Sequence, residues 1–195
     1  MKDKNLYIIA GCNGAGKTTA SYTILPEILN CKEFVNADEI AKGLSPFQPE
    51  KVSFEAERIM LHRIGELLEK EADFAFETTL SAKSYISIIK KAQSQGYFVT
   101  LVFFWLNSIE LAKQRVIIRV SEGGHNIPED VIERRYTRGI KNFFKIYLNA
   151  CDNVMLFDNS NKSPILILEK EINEEPVIID ENLFKKINNL QHDKR

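Results

Sequence analysis

Residues Gly11-Cys12-Asn13-Gly14-Ala15-Gly16-Lys17-Thr18 satisfy the pattern G-x-x-x-x-G-K-[ST] at every position. The pattern has a chemical reason. Glycines let the backbone curl until its N–H groups face one concavity, and a helix N-terminus adds a positive dipole end to that nest. The lysine reaches the β and γ phosphates of a nucleoside triphosphate, and the hydroxyl serves Mg²⁺. A glycine-rich strand-to-helix turn without a ligand would also contain glycines, but would not require the Lys17-Thr18 pair.

Two carboxylates extend the chemistry. Asp38 follows the short apolar run Glu33-Phe34-Val35, and Glu77 follows Phe74-Ala75-Phe76. In an open α/β sheet the carboxyl ends of strands border the ligand crevice, so both acids are expected to face the phosphate loop. Asp38 is suited to accept a proton from an attacking hydroxyl, or to hold Mg²⁺. The alternative is that it caps a helix beginning at Glu39. A carboxylate at a strand end is costly to bury unpaired, so Glu77 is expected to meet a cation or substrate hydroxyls. Its alternative is a capping contact with a helix starting at Ser81.

Cations come next. Arg115 and Arg119 lie one helical turn apart. After the break Gly123-Gly124-His125, a stripe of Arg134, Arg138, Lys141 and Lys145 follows, with Arg135 beside it. Arginines on a hinged segment can surround a phosphoryl group when substrate arrives. Residues from about 119 to 138 therefore read as a helical lid, with Arg115, His125, Arg134, Arg135 and Arg138 as its candidate contacts. For Lys141 and Lys145 a solvated helix face is the favoured reading.

These side chains need a scaffold. Leu6 to Ala10 is apolar throughout, as a strand covered on both faces should be. Further strands are expected at 33–35, 74–76, 98–106 and 154–157, separated by helices from about Lys17 to Leu29, Ser53 to Lys70, Ser81 to Gly96, Ser108 to Val120 and onward from Pro128. In the Ser53 helix, Phe54, Ile59, Leu61, Ile64, Leu67 and Leu68 are available for a buried face. Beyond Pro164, segments 165–169 and 177–179 suggest a hairpin or edge addition, followed by a polar helix from Glu181 to Leu190. Alternating strands and helices imply an α/β class, here a three-layer fold around a central five-stranded parallel sheet.

The whole chain sets bounds. Its 195 residues suit one domain, with a core over about 5–160 and a C-terminal addition over about 161–195. Its 26 Lys and Arg against 27 Asp and Glu call for no nucleic acid or membrane partner. Three cysteines, Cys12, Cys31 and Cys151, lack metal or redox spacing and read as reduced thiols. The N-terminal apolar run is too short for a signal peptide, so a cytoplasmic location is expected.

Four stretches together resemble the small zeta-toxin-like P-loop kinases. They are Gly11 to Thr19, Asn36-Ala37-Asp38-Glu39-Ile40, Phe76-Glu77-Thr78-Thr79-Leu80-Ser81, and Gly123-Gly124-His125-x-Ile127-Pro128-Glu129 leading into Arg134-Arg135-Tyr136. The resemblance runs from about Leu6 to Ser160. It implies a P-loop kinase fold and transfer of phosphate from ATP or GTP, with Mg²⁺, to a hydroxyl of UDP-N-acetylglucosamine. It further implies that Gly11, Asn13, Gly14, Ala15, Gly16, Lys17, Thr18 and Thr19 hold the nucleotide, with Thr18 serving the metal. Asp38 would be the proton acceptor, Glu77 and Thr79 would grip the sugar, and Arg119 would stabilise the transferring group. An antitoxin protein is the implied partner. A kinase for another small acceptor, or a nucleotide-dependent regulatory ATPase that binds a protein, remain the competing readings.

Overall fold

The computed structural model describes residues 4–124 and 126–191. Five parallel strands form its centre: β1 (Lys4–Gly11), β2 (Glu33–Val35), β3 (Phe74–Thr78), β4 (Tyr97–Trp105) and β5 (Asn153–Asp158). Two antiparallel strands, β6 (Ile165–Lys170) and β7 (Val177–Ile178), extend the β5 edge, giving the order β2-β3-β1-β4-β5-β6-β7. The expected five-stranded parallel core is present, and the C-terminal hairpin joins the same sheet. Inward side chains of both parities in β1, among them Ile8 and Ile9, are fully buried, so helices must cover both faces.

The helices are α1 (Lys17–Thr23), α2 (Ala37–Leu44), α3 (Ser53–Glu69), α4 (Tyr85–Ser94), α5 (Ile109–Ser121), α6 (Glu129–Asn142), the single turn α7 (Leu148–Ala150) and α8 (Glu181–Leu190). α1 runs on into a π-turn over Ile24–Ile28 that contains Pro26. A proline cannot donate to the preceding turn, and a widened turn absorbs that loss. α6 continues through a second π-turn, Phe143–Tyr147, into α7. Below it an aromatic ladder runs from Phe103 in β4 through Phe143 and Phe144 to Phe184 in α8, with centroid spacings of 4.8, 5.0 and 6.0 Å. The C-terminal helix is thereby seated against the arginine-bearing one.

Local corrections concern helix ends and faces. The cap of α2 is Asn36, whose side-chain oxygen accepts from the Asp38 and Glu39 N–H groups, so Asp38 sits inside the first turn and is not the cap. α4 starts at Tyr85 after Ser84, and not at Ser81. The buried face of α3 is Ala56, Met60, Ile64, Leu67 and Leu68, whereas Phe54, Ile59 and Leu61 are exposed. Apolar residues occur on both sides of this helix, and only the set spaced at three and four meets the sheet.

The region read as a lid is largely anchored. Ile132, Tyr136 and Ile140 of α6 are buried. The Trp105 indole N–H donates to the Tyr136 hydroxyl at 3.0 Å, which donates to the Leu106 carbonyl at 2.7 Å. Lys113 of α5 bridges Glu129 and Glu133 of α6 at 2.9 and 2.6 Å. The α6 arginines are therefore carried by a helix that packs against the sheet and α5. His125 lies outside the described residues.

Candidate active site

The register puts the chemistry at one end of the sheet. β1 lies between β3 and β4, with Ile9 opposite Glu77 and Gly11 opposite Phe104. The phosphate loop thus leaves β1 two residues beyond the level of Glu77. Gly14 and Gly16 both have φ of 80°, in the left-handed region, and Gly16 is the cap of α1. A Cβ on Gly16 would stand 2.7 Å from Asn159 Nδ2, so glycine is required there for space as well as conformation. That same Nδ2 donates to the Ala15 carbonyl at 2.8 Å. Arg115 donates to the Asn159 and Ser160 carbonyls, each at 2.9 Å, with a longer contact of 3.5 Å to the Gly14 carbonyl. The loop is braced from outside by α5 and by the segment after β5. Inside it, burial pushes the Cys12 thiol up to about 11, against the opposing pull of Lys17 and Arg115.

Lys17 and Glu77 meet at the loop mouth. Lys17 Nζ lies 3.4 Å from Glu77 Oε1 and donates to the Cys12 carbonyl at 3.0 Å. Glu77 Oε2 accepts from Thr18 Oγ1 at 2.7 Å and from Asn36 Nδ2 at 2.9 Å. Both charged side chains are over nine-tenths covered, and such a pair persists only where hydrogen bonds replace lost water. Here they do. Glu77 bonds to the phosphate-loop residues and to Asn36, so the capping alternative through Ser81 falls; Ser81 instead meets Thr79, hydroxyl to hydroxyl, at 2.9 Å. Thr18 and Glu77 present a hydroxyl and a carboxylate, all oxygen. That donor set fits Mg²⁺, which takes one or two carboxylates and completes its shell with phosphate oxygens and water.

From this pole a cleft of about 670 Å³ opens. Asp38 lines it together with Asn13, Lys17, Glu77 and Thr79. One wall is α3, contributing Phe54 and Glu57, and the other is α6, contributing Arg134, Arg135 and Arg138. Arg135 Nη1 donates to Asn13 Oδ1 at 3.2 Å, tying that wall to the phosphate loop. Gly139 allows the close approach of α6, because a Cβ there would stand 2.6 Å from the Thr79 carbonyl. Leu80, between the cleft-lining Thr79 and Ser81, is buried at φ of 53°, a conformation costing a leucine about 1–2 kcal/mol. Its carbonyl accepts from Asn142 Nδ2 at 2.7 Å, which holds the turn.

The five candidate arginines are thus divided. Arg134, Arg135 and Arg138 face the cleft. Arg115 is committed to backbone carbonyls, and Arg119 lies outside the cleft lining, with its carbonyl accepting from Gly124 N–H at 2.8 Å. The assignment of Arg119 to the transferring group is not supported by this placement.

The zeta toxin family model matches residues 1–171. The chain belongs to the zeta toxin family. Among relatives, this family member is 29% identical over 136 residues to an uncharacterized protein of Haemophilus influenzae, covering 70% of this chain and 94% of that one. The fold is also that of a chain in the AvrRxo1-ORF1:-ORF2 complex solved with ATP, at a TM-score of 0.80 and 19% identity. That likeness covers 99% of this chain and 66% of the other, so the zeta toxin family member spans about two thirds of its length. A structure from the PezAT toxin-antitoxin system of Streptococcus pneumoniae matches at a TM-score of 0.69 and 15% identity, covering 99% of this chain and 89% of that chain.

Sequence reasoning missed three contributors. Asn36 appeared only inside a motif, yet it joins Glu77 to α2. Asn159 supports the phosphate loop across 144 positions of chain, a separation no local pattern reveals. Phe54 was assigned to the core because it is apolar, although it is 86% exposed at the cleft.

Proposed function

We propose that this chain is a kinase that moves the γ-phosphoryl group of ATP to a hydroxyl of a sugar nucleotide, with UDP-N-acetylglucosamine as the first candidate. The observation carrying this reading is that Asp38 lines the same cleft as Lys17, Glu77 and the α6 arginines. The bond formed joins the acceptor oxygen to γ-phosphorus, and the bond broken joins that phosphorus to the β,γ-bridging oxygen. Asp38 takes the acceptor's proton as its oxygen attacks. Lys17, released from the Cys12 carbonyl, holds the β and γ phosphates. Thr18 and Glu77 would hold Mg²⁺, which would supply positive charge to neutralise the phosphates. Arg135 stands at Asn13 of the loop and takes the role of stabilising the transferring group. Arg134 and Arg138, further along the same wall, suit the diphosphate of the acceptor, and Thr79 a sugar hydroxyl.

ATP is the expected donor, since one of the structures sharing this fold was solved with ATP. A protein partner acting as antitoxin is proposed from the PezAT toxin-antitoxin system, and a cytoplasmic setting from the ATP requirement. No described helix is long and apolar enough to cross a membrane.

The test is incubation with Mg·ATP and UDP-N-acetylglucosamine, followed by mass spectrometry for an acceptor heavier by one phosphate. Asp38→Asn should keep ATP affinity and lower turnover by about 10²–10⁴, the usual loss for a general base. Transfer to a different sugar or nucleoside would move the acceptor assignment only. Acceptor-independent ATP hydrolysis, indifferent to Asp38→Asn, would replace the kinase by a nucleotide-driven switch.

A further inference from the structure

Asn36 is 94% buried, and both ends of its amide are used. Oδ1 accepts from the backbone N–H of Asp38 at 2.8 Å and of Glu39 at 3.4 Å. Nδ2 donates at 2.9 Å to Glu77 Oε2, the oxygen that Thr18 Oγ1 also reaches at 2.7 Å. The amide cannot be turned over. Reversed, it would set oxygen against a carboxylate oxygen and leave the Asp38 N–H facing a donor.

We propose that Asn36 is a positioning residue, whose single planar amide fixes the spacing between the proton-accepting helix and the carboxylate of the phosphate pole. Capping alone does not explain the residue, because Ser, Thr and Asp cap as well or nearly so. Serine is too short to accept from α2 and still reach Glu77. Aspartate would lay a second negative charge against Glu77, which already balances Lys17. Asparagine is the cap that accepts at one end, donates at the other and carries no charge. Asp38 sits two residues along the chain, so any drift of Asn36 relative to Glu77 moves the base relative to the phosphate loop. Misplacement on the scale of 1 Å is what reactions of this kind do not tolerate.

The inference rests on the transfer reading for its kinetic arm and on geometry otherwise. Asn36→Ser retains a cap and removes the bond to Glu77. Melting temperature, calorimetric affinity for Mg·ATP, and kcat and KM would be measured with UDP-N-acetylglucosamine and, in parallel, with water alone as acceptor. The expected result is a melting temperature lowered by the lost bond to Glu77, an ATP affinity close to wild type, and a kcat per folded molecule reduced about tenfold or more in both arms, as befits misplacement of the base, with KM little changed. Wild-type kcat in Asn36→Ser overturns the proposal, as does a kcat per folded molecule that is unchanged while stability alone falls. Should Asn36→Ser fail to fold, Asn36→Asp, an equally good cap, carries the same comparison, and an unaltered kcat there overturns the proposal too. Loss of product in the sugar-nucleotide arm for the wild type, with the water arm still responding to Asn36, refutes only the acceptor. A wild type that binds Mg·ATP and turns it over in neither arm refutes the transfer reading and the positioning role together.

Discussion

The two ends of the cleft are built on opposite plans. At the phosphate end Lys17, Glu77, Thr18 and Asn36 are bonded to one another within 3.4 Å, and the side chains of Lys17, Glu77 and Asn36 are almost fully covered. At the acceptor end Arg134, Arg138, Phe54 and Glu57 stand exposed on two facing helices. The first arrangement suits a ligand that never varies, since each group is held before the nucleotide arrives and little reorganisation remains. The second leaves side-chain rotamers to be ordered by whatever binds there, so under the transfer reading proposed above discrimination between acceptors would fall on that wall. Rate should therefore depend on the covered end, and acceptor affinity on the open one.

Lys17→Ala is the strongest challenge to that division. It removes the cation of the phosphate pole, and turnover should fall by on the order of 10²–10³, the scale for losing one preorganised electrostatic contact. ATP affinity should fall with it, measured by calorimetry. An ATP affinity equal to wild type would break the comparison, because the covered end would then not be the nucleotide site.

How much of this was legible in the sequence follows the same divide. The phosphate loop reads from eight consecutive residues because its chemistry is backbone geometry, which glycine spacing encodes directly. β1 to β5 read from apolar runs for the same local reason. The arginines did not sort themselves. Spacing of four puts Arg115 with Arg119, and Arg134 with Arg138, on common helical faces, but which face turns inward depends on how α5 and α6 dock. Arg115 turns to the Asn159 and Ser160 carbonyls, contacts 44 and 45 residues away in sequence. α3 misled for a related reason. Met60 and Ile64 meet the sheet while Phe54 looks into the cleft, and hydrophobicity alone ranks Phe54 above Met60.

Arg115 and Arg138 turn that difference into a measurement. Arg115→Ala strips a charged donor from two carbonyls that support the phosphate loop, which should cost about 2–3 kcal/mol and lower the melting temperature by several degrees. Arg138→Ala, on an exposed face, should leave stability within about 0.5 kcal/mol. It should instead raise KM for the acceptor about tenfold, the effect of one lost charged contact, with kcat and ATP affinity little altered. If Arg138→Ala lowers kcat and spares KM, then the open wall acts on the transferring group, and rate no longer belongs to the covered end alone.

A last test separates the buried pole from solvent by proton uptake. Burial raises the Cys12 and Cys31 thiols from 9.0 to about 11, and the Cys151 thiol to about 12. In the unfolded chain these thiols lose their protons near pH 9, while in the native protein they keep them for two units or more. The native state therefore binds more protons between those values. Its stability is complete below about pH 9 and declines as pH rises toward 11, by up to about 1.4 kcal/mol per pH unit for each thiol. Tyr97, raised by burial to about 12, adds to the loss only above pH 10, where free tyrosine ionises. Urea midpoints taken between pH 8 and 10 thus report chiefly on cysteine. Cys12→Ala should flatten the decline by about a third if the three thiols contribute alike. Because the onset is set by thiols ionising in the unfolded chain, ATP at saturating concentration should raise the urea midpoints without moving that onset. A decline whose steepness is unchanged by Cys12→Ala would mean that Cys12 gives up its proton as readily in the native loop as in the unfolded chain, and that the two ends of the cleft differ less than their packing shows.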